Sequence, residues 1–459
     1  MKASNVSAVS DELYRKLRDL ALSVKRMTAD GIAKNSIKPQ EETLFRWKVD
    51  KFQYTEKGIT EFEAHEEYLV KPSWSNAAFK LKETVQDSGE YTAASQEISS
   101  VFGKENERHL EHFVKGLVDK FVENPEFDRN HVEELVKIFL KDLNQEQVGQ
   151  SARVELDGVI MQPERIELAH GINLKKTEVE DLERPFHRHN LLQRDLLLTP
   201  SAILNVELQG RGPSGIQRKV EQATAILRLF NIGSVKWTRY TLDSESFIDT
   251  LLHGTLGAGS REFVLEKYVV TENDIPRIKR FWQTMEQVMP SSFYELGLTK
   301  IDYLTIAYSR YSDSLFLNGV FERRIANAVM GLEALFLKSG ELQELPYRLS
   351  LRISKLFSVL GRDPNVTREM VNDAYRIRSL FAHGGHLSHK ERKRVESKYR
   401  ELKSLLMSLL ECLRVSIIIM MVGKKEKDEF IEQIENSFFD SATGNSLKFV
   451  VSEVQGLVE

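Results

Sequence analysis

The stretch from Leu405 to Val422 is apolar on nearly every side of a helix, and no other segment restricts the fold as strongly. A helix of that kind must be wrapped by other helices or by lipid. Crossing a bilayer takes about 20 uninterrupted apolar residues. Glu411 and Arg414 break this run, and Lys424 and Lys425 follow it. The expectation is therefore a core helix or dimer-interface helix, and no membrane span.

The neighbouring sequence supplies the wrapping. Ile301 to Leu317, Phe321 to Lys338, Tyr347 to Leu360, Thr367 to Ala382 and Ser388 to Met421 carry apolar residues at helical spacing. Asn318-Gly319, Gly340, Gly361-Arg362-Asp363-Pro364 and Gly384-Gly385 separate them. Short connections imply antiparallel neighbours, so residues 296–459 are expected to form a helical bundle.

The middle third has a different rhythm. Val154, Leu156, Val159 and Met161, then Ile166, Leu168, Ile172 and Leu174 around a His170-Gly171 turn, read as two or three short strands. Ala202 to Leu208 is a further strand, and Ile216 to Phe230 a helix with one broad apolar face. Residues 151–295 are thus expected to be mixed α/β. In residues 1–150, helices are expected at Asp11 to Lys34 with Ser10 as cap, at Glu105 to Glu123 and at Val132 to Leu143. Between Gln40 and Gly103 periodicity does not separate strand, loop and helix. The fold class expected is α+β, mainly α: a partly helical N-terminal region, a mixed α/β middle domain and a C-terminal helical bundle. A chain of 459 residues is too long for one ordinary core.

Lys plus Arg (64) nearly balance Asp plus Glu (68), so no global basic field marks a nucleic-acid binder and any such contact must be local. A single cysteine, Cys412, forms no internal disulfide, and Met1-Lys2-Ala3-Ser4-Asn5 lacks a signal-peptide core. A cytoplasmic location is expected.

Chemistry concentrates in Arg376-Ile377-Arg378-Ser379-Leu380-Phe381-Ala382-His383-Gly384. Imidazole moves protons near neutral pH, and guanidinium is a permanent planar cation suited to phosphate. Together they suffice to cut RNA without a metal. At about 100° per residue, Arg378 and His383 are about 140° apart, Arg376 nearly coincides with His383, and Ser379 lies one turn below it. Spacing does not choose the arginine. A solvated basic helix end explains the same residues through the helix dipole.

Other motifs carry less. His383, His386 and His389 are parted by glycines, which spoils a fixed ligand face, so no metal or cofactor is expected. His187-Arg188-His189 reads as a surface loop. Gly254 to Arg261 and Gly210 to Gly215 both lack the Gly-Lys-[Ser/Thr] ending of a phosphate loop. No G-x-S-x-G elbow is present.

The run Arg-Ser-x-x-x-His-Gly, preceded by Asn327 to Phe336 and by Glu344 to Arg352, resembles the Apea-like branch of the HEPN family over roughly Tyr303 to Val422. Glu155 to Val159 and Leu227 to Phe230 are similar to the upstream part of such proteins. The resemblance implies a helical bundle that pairs with a second copy, so that two R-x(4 to 6)-H motifs share one cleft. It also implies metal-independent RNA cleavage in phage defence, toxin systems or RNA processing, or a non-catalytic module of the same fold that binds RNA or protein. His383 matches the family histidine and Arg378 its arginine, with Arg376 an alternative. Ser379 stands where many members have Asn, and Glu333 matches an acidic position that can orient an arginine. Gly385 replaces a tyrosine that some members use for control. The expected substrate is single-stranded or looped RNA, tRNA among the candidates, left with 2′,3′-cyclic phosphate ends. Lys390, Arg392, Lys393 and Arg394 are candidates for flanking phosphates, or a solvated face balanced by Glu391, Glu396 and Glu401. The trigger is unknown.

Overall fold

Leu13, Leu17, Leu20, Ala21 and Val24 recur at helical spacing and lie fully buried along one side of α1 (Asp11–Ala33). The computed structural model describes residues 11–124, 126–184, 186–187, 199–248, 255–257, 266–295, 301–316 and 320–458. After α1 come a hairpin of β1 (Gln40–Thr55) and β2 (Gly58–Ser73), then α2 (Ser75–Gln86), α3 (Gly89–Phe102), α4 (Glu107–Glu123) and α5 (Arg129–Leu143). Periodicity left the hairpin undefined for a physical reason. Its 16-residue strands are half or fully exposed on both faces, with only Phe45 and Gly58 buried, so no inward row of apolar residues exists. Gly58, at φ +87°, accommodates the tight reversal after Glu56-Lys57.

The central part runs through β3 (Val148–Asp157), β4 (Val159–Met161), β5 (Arg165–Ala169), β6 (Ile172–Lys176), a short α6 (Val179–Leu182), β7 (Phe186–His187), β8 (Ala202–Gly210) and α7 (Gly212–Phe230). Then follow β9 (Lys236–Ser244), β10 (Thr255–Gly257), β11 (Tyr268–Val270) and α8 (Ile275–Val288). Six strands pair in the order β10-β9-β3-β8-β6-β5, all antiparallel, and the β5-β6 turn falls at His170-Gly171. Ala152, Val154 and Leu156 face a core shared with Val220, Ala223, Ile226 and Leu227 of α7. Helix α7 starts before Ile216 because Pro213 suits its first turn. His187 ends β7, while Arg188, His189, Gly254 and the segment from Ala258 to Arg261 lie outside the described residues.

The rest is helical: α9 (Tyr303–Phe316), α10 (Phe321–Phe336), α11 (Leu345–Val359), α12 (Pro364–Ala382), α13 (His389–Tyr399), α14 (Leu402–Gly423), α15 (Lys427–Asn436) and α16 (Ser441–Val458). The described residues are 61 % helix and 19 % strand, an α+β fold that is mainly α. The expected helix from Ser388 to Met421 is two helices, parted at Arg400, whose φ is +65°. The break lets polar α13 lie on the surface while α14 enters the core.

Two apolar cores result. One joins α1 to α5 with Phe247; the other runs unbroken from the sheet through α7 and α8 into the bundle. Helix α14 is long and apolar enough to cross a membrane, yet 78 % of its most apolar window is buried within the protein. Its buried cation explains the placement. Arg414 donates to Glu411 and to the carbonyls of Leu229 and Phe230 at 2.8 and 3.0 Å. It thereby satisfies the open C-terminal end of α7.

Candidate active site

Helix α12 begins where Asp363 accepts from the amides of Asn365 and Val366, with Pro364 in the first turn. Met370, Val371, Ala374 and Ile377 bury one face, which turns Tyr375 and Arg378 toward the border of the core and α10. The helix ends in a Schellman motif: Gly384 N–H donates to the Phe381 carbonyl (3.0 Å) and Gly385 N–H to that of Leu380 (2.9 Å). Gly384 adopts φ +74°, so the paired glycines have a local structural reason.

His383 is the last residue before this reversal, its amide bonded to the carbonyls of Ser379 and Leu380. Its ring is exposed and makes no hydrogen bond or ion pair with the described residues. Ser379 is half-buried; its hydroxyl likewise bonds to none of them.

The two arginines part company. Arg378 Nη2 donates to Glu333 Oε2 of α10 at 3.0 Å. The Arg378 side chain is 29 % exposed and that of Glu333 15 %. Arg378 Nε is buried without a partner, which leaves Nη1 as the open nitrogen. Arg376 instead points outward, 49 % exposed, and donates to Glu391 at 2.5 Å. Glu391 also accepts the amide and hydroxyl of Ser388, closing the capping box of α13. The pairs hold different things: Arg378 the α10 wall, Arg376 the chain that follows His383.

Tyr375 was absent from the residues expected from sequence. It lies three residues before Arg378 on the same helical face, the one signal that points to it. Its ring centroid is 5.7 Å from the Arg378 guanidinium. Burial raises the Glu333 carboxyl above its ordinary value, while Arg378 and the Tyr375 phenol pull it part of the way back. Burial and the Glu333 charge in turn raise the Tyr375 phenol.

The basic residues of α13 are unequal. Arg392 pairs with Glu396 and Arg394 with Asp373, whereas Lys390 and Lys393 have no ion pair among the described residues. No group of three His, Cys, Asp or Glu side chains among the described residues is arranged to hold a metal. Burial pushes the Cys412 thiol up to about 12, so it stays protonated at neutral pH.

A cavity of about 1470 Å³ lies apart from these groups, between α4 and the polar face of the sheet, lined among others by His112, Lys115, Asp119, Ser151, Glu207 and Asp243. It exceeds the roughly 300 to 1,000 Å³ of a small-molecule pocket, and none of the candidate catalytic or RNA-binding residues borders it. The α12 end is the better candidate because its guanidinium is held and its imidazole is free.

No protein-family model, curated protein or solved structure matches this chain.

Proposed function

We propose that this protein is a metal-independent endoribonuclease of the Apea-like HEPN type, acting in the cytoplasm in antiviral defence or toxin-like RNA cleavage. The observation that carries the reading is the ion pair of Arg378 with Glu333, five residues before an exposed His383 that has no partner among the described residues, at the same helix end. The resemblance expects an arginine oriented by that acid beside that histidine.

His383 removes the proton of a ribose 2′-hydroxyl, the oxygen attacks the adjacent phosphorus, and the bond to the 5′-oxygen breaks. The leaving oxygen takes a proton from imidazolium, of the same or a second copy, giving a 2′,3′-cyclic phosphate and a 5′-hydroxyl. Arg378 Nη1 stabilises the charged phosphorane. A free 2′-hydroxyl and flexible geometry are required, so single strands and loops, including those of tRNA, are cut and DNA is not. Arg378 serves here, since Arg376 is spent on Glu391. A second copy of the chain completes the cleft, and the first 295 residues restrain it.

A second reading is a HEPN module that binds RNA or protein without cutting. The neutralisation of Arg392 and Arg394 by acidic neighbours favours its protein-binding form over a broad RNA-binding face. Labelled total RNA incubated with wild type and His383→Ala in EDTA separates the two. Cleavage with cyclic phosphate ends that disappears in the variant, while RNA affinity persists, supports the nuclease. Cleavage that needs added metal or survives the substitution overturns it.

A further inference from the structure

Among the described residues Arg378 is anchored only by Glu333, and a single ion pair at a half-exposed helix end holds a long side chain weakly. Something else must fix the plane of its guanidinium. Tyr375 is placed to do so. Its ring lies within cation–π range of the guanidinium, at 5.7 Å, and its phenol acts on the same carboxylate that receives Arg378. The three groups form a triangle: the ring stands 5.7 Å from the guanidinium, the guanidinium meets the carboxylate at 3.0 Å, and the phenol pulls the same carboxyl down. Two of them sit on α12 and one on α10, so the triangle ties together the helices that carry the site. With Nη2 on Glu333 and Nε buried, Nη1 is the guanidinium nitrogen without a hydrogen bond to the described residues.

We propose that Tyr375 is a positioning residue: its ring supports Arg378 and its hydroxyl holds Glu333, so that Nη1 is presented in one orientation to a phosphate oxygen. The phosphate belongs to the nuclease reading; the triangle itself does not depend on it. Tyr375 touches no reacting atom, and acts through Arg378 alone.

The test uses the full chain with Tyr375→Phe, which keeps the ring, and Tyr375→Leu, which removes both contacts. Carbon-13 NMR of selectively labelled glutamate follows Glu333, assigned by its loss in Glu333→Gln. In Tyr375→Phe the Glu333 titration should move up, because the phenol that favours its charged form is gone. Nitrogen-15 signals of the Arg378 guanidinium should be little changed in Tyr375→Phe, and should collapse to the rapidly rotating average in Tyr375→Leu. In cleavage assays, Tyr375→Leu should lower kcat about tenfold with KM within about twofold, and Tyr375→Phe should shift only the acid limb of the pH profile. Unchanged Glu333 titration in the phenylalanine variant together with unchanged Arg378 signals in the leucine variant overturns the proposal. If wild type cuts no RNA but the NMR shifts occur, the nuclease reading falls and the positioning role stands.

Discussion

Arg378 and Glu333 are separated by 45 residues of chain, yet guanidinium and carboxylate meet at 3.0 Å. The contact exists because Ile325, Val329, Leu332 and Leu335 of α10 and Val371, Ala374 and Ile377 of α12 are buried in one core, which brings the polar edges of both helices together. Packing creates the site edge, and the ion pair then sets the direction of one side chain.

Glu333→Gln keeps the shape and removes the charge. Cleavage should fall about tenfold with RNA affinity nearly unchanged, and Arg378→Ala should add little further loss in the double variant, because the two act as one unit. Single-turnover rates at fixed RNA concentration check this.

Because Glu333 is raised by burial, its folded form binds a proton more tightly than the unfolded chain does. Its contribution to stability therefore drops as pH rises from the ordinary value of 4.5 through the raised folded one. The ion pair to Arg378 shows the opposite trend, being complete only above that raised value. Urea unfolding between pH 4 and 8, about four units, should show this downward component in wild type and its absence in Glu333→Gln.

Arg376→Ala should change cleavage by less than about threefold, while loosening the chain from Gly384 to Ser388 through loss of the Glu391 contact. Faster amide hydrogen exchange confined to this segment is the expected result. A loss of cleavage as large as in Arg378→Ala would reverse the assignment of the two arginines.

Arg352, 1 % exposed, joins Glu341 and Glu435, and holds the Glu341 carboxyl down to about 2. A depressed carboxyl adds stability that is complete above its unfolded value, 4.5, and is lost as pH falls toward 2. Glu341→Gln should lower stability by about 3 kcal/mol at neutral pH and flatten the acid limb of an unfolding profile.

Arg414→Met should cost about 3 to 5 kcal/mol, since it leaves two helix-end carbonyls and Glu411 without their donor. Loss of cooperativity between α7 and the bundle in hydrogen exchange is the accompanying sign.

Lys390 and Lys393, without an ion pair among the described residues, offer a separate measurement. Replacing Lys390 and Lys393 with Ala should reduce the salt dependence of single-stranded RNA binding by a slope of about 1.4, and replacing Arg392 and Arg394 by clearly less. Filter binding across a salt series gives both slopes.

Much of this architecture can be read from spacing alone. Strands around His170-Gly171, helix α7 and the bundle helices appear where apolar residues repeat with period two or 3.6, because one face of each is buried. The hairpin of β1 and β2 escaped that logic, since neither face is buried and no period is imposed. The turn at Arg400 escaped it too, because the local sequence continues a helical pattern that only the burial of α14 interrupts. At the site, sequence supplied an imidazole, two arginines and an acid, all within acceptable spacing, and treated the arginines as equals. Local chemistry determines which groups are present and which helix they ride on. Which cation meets Glu333 and which one is drawn to the cap of α13 were decided by tertiary packing, because side-chain neighbours across helices depend on how cores interlock and carry no signal along the chain.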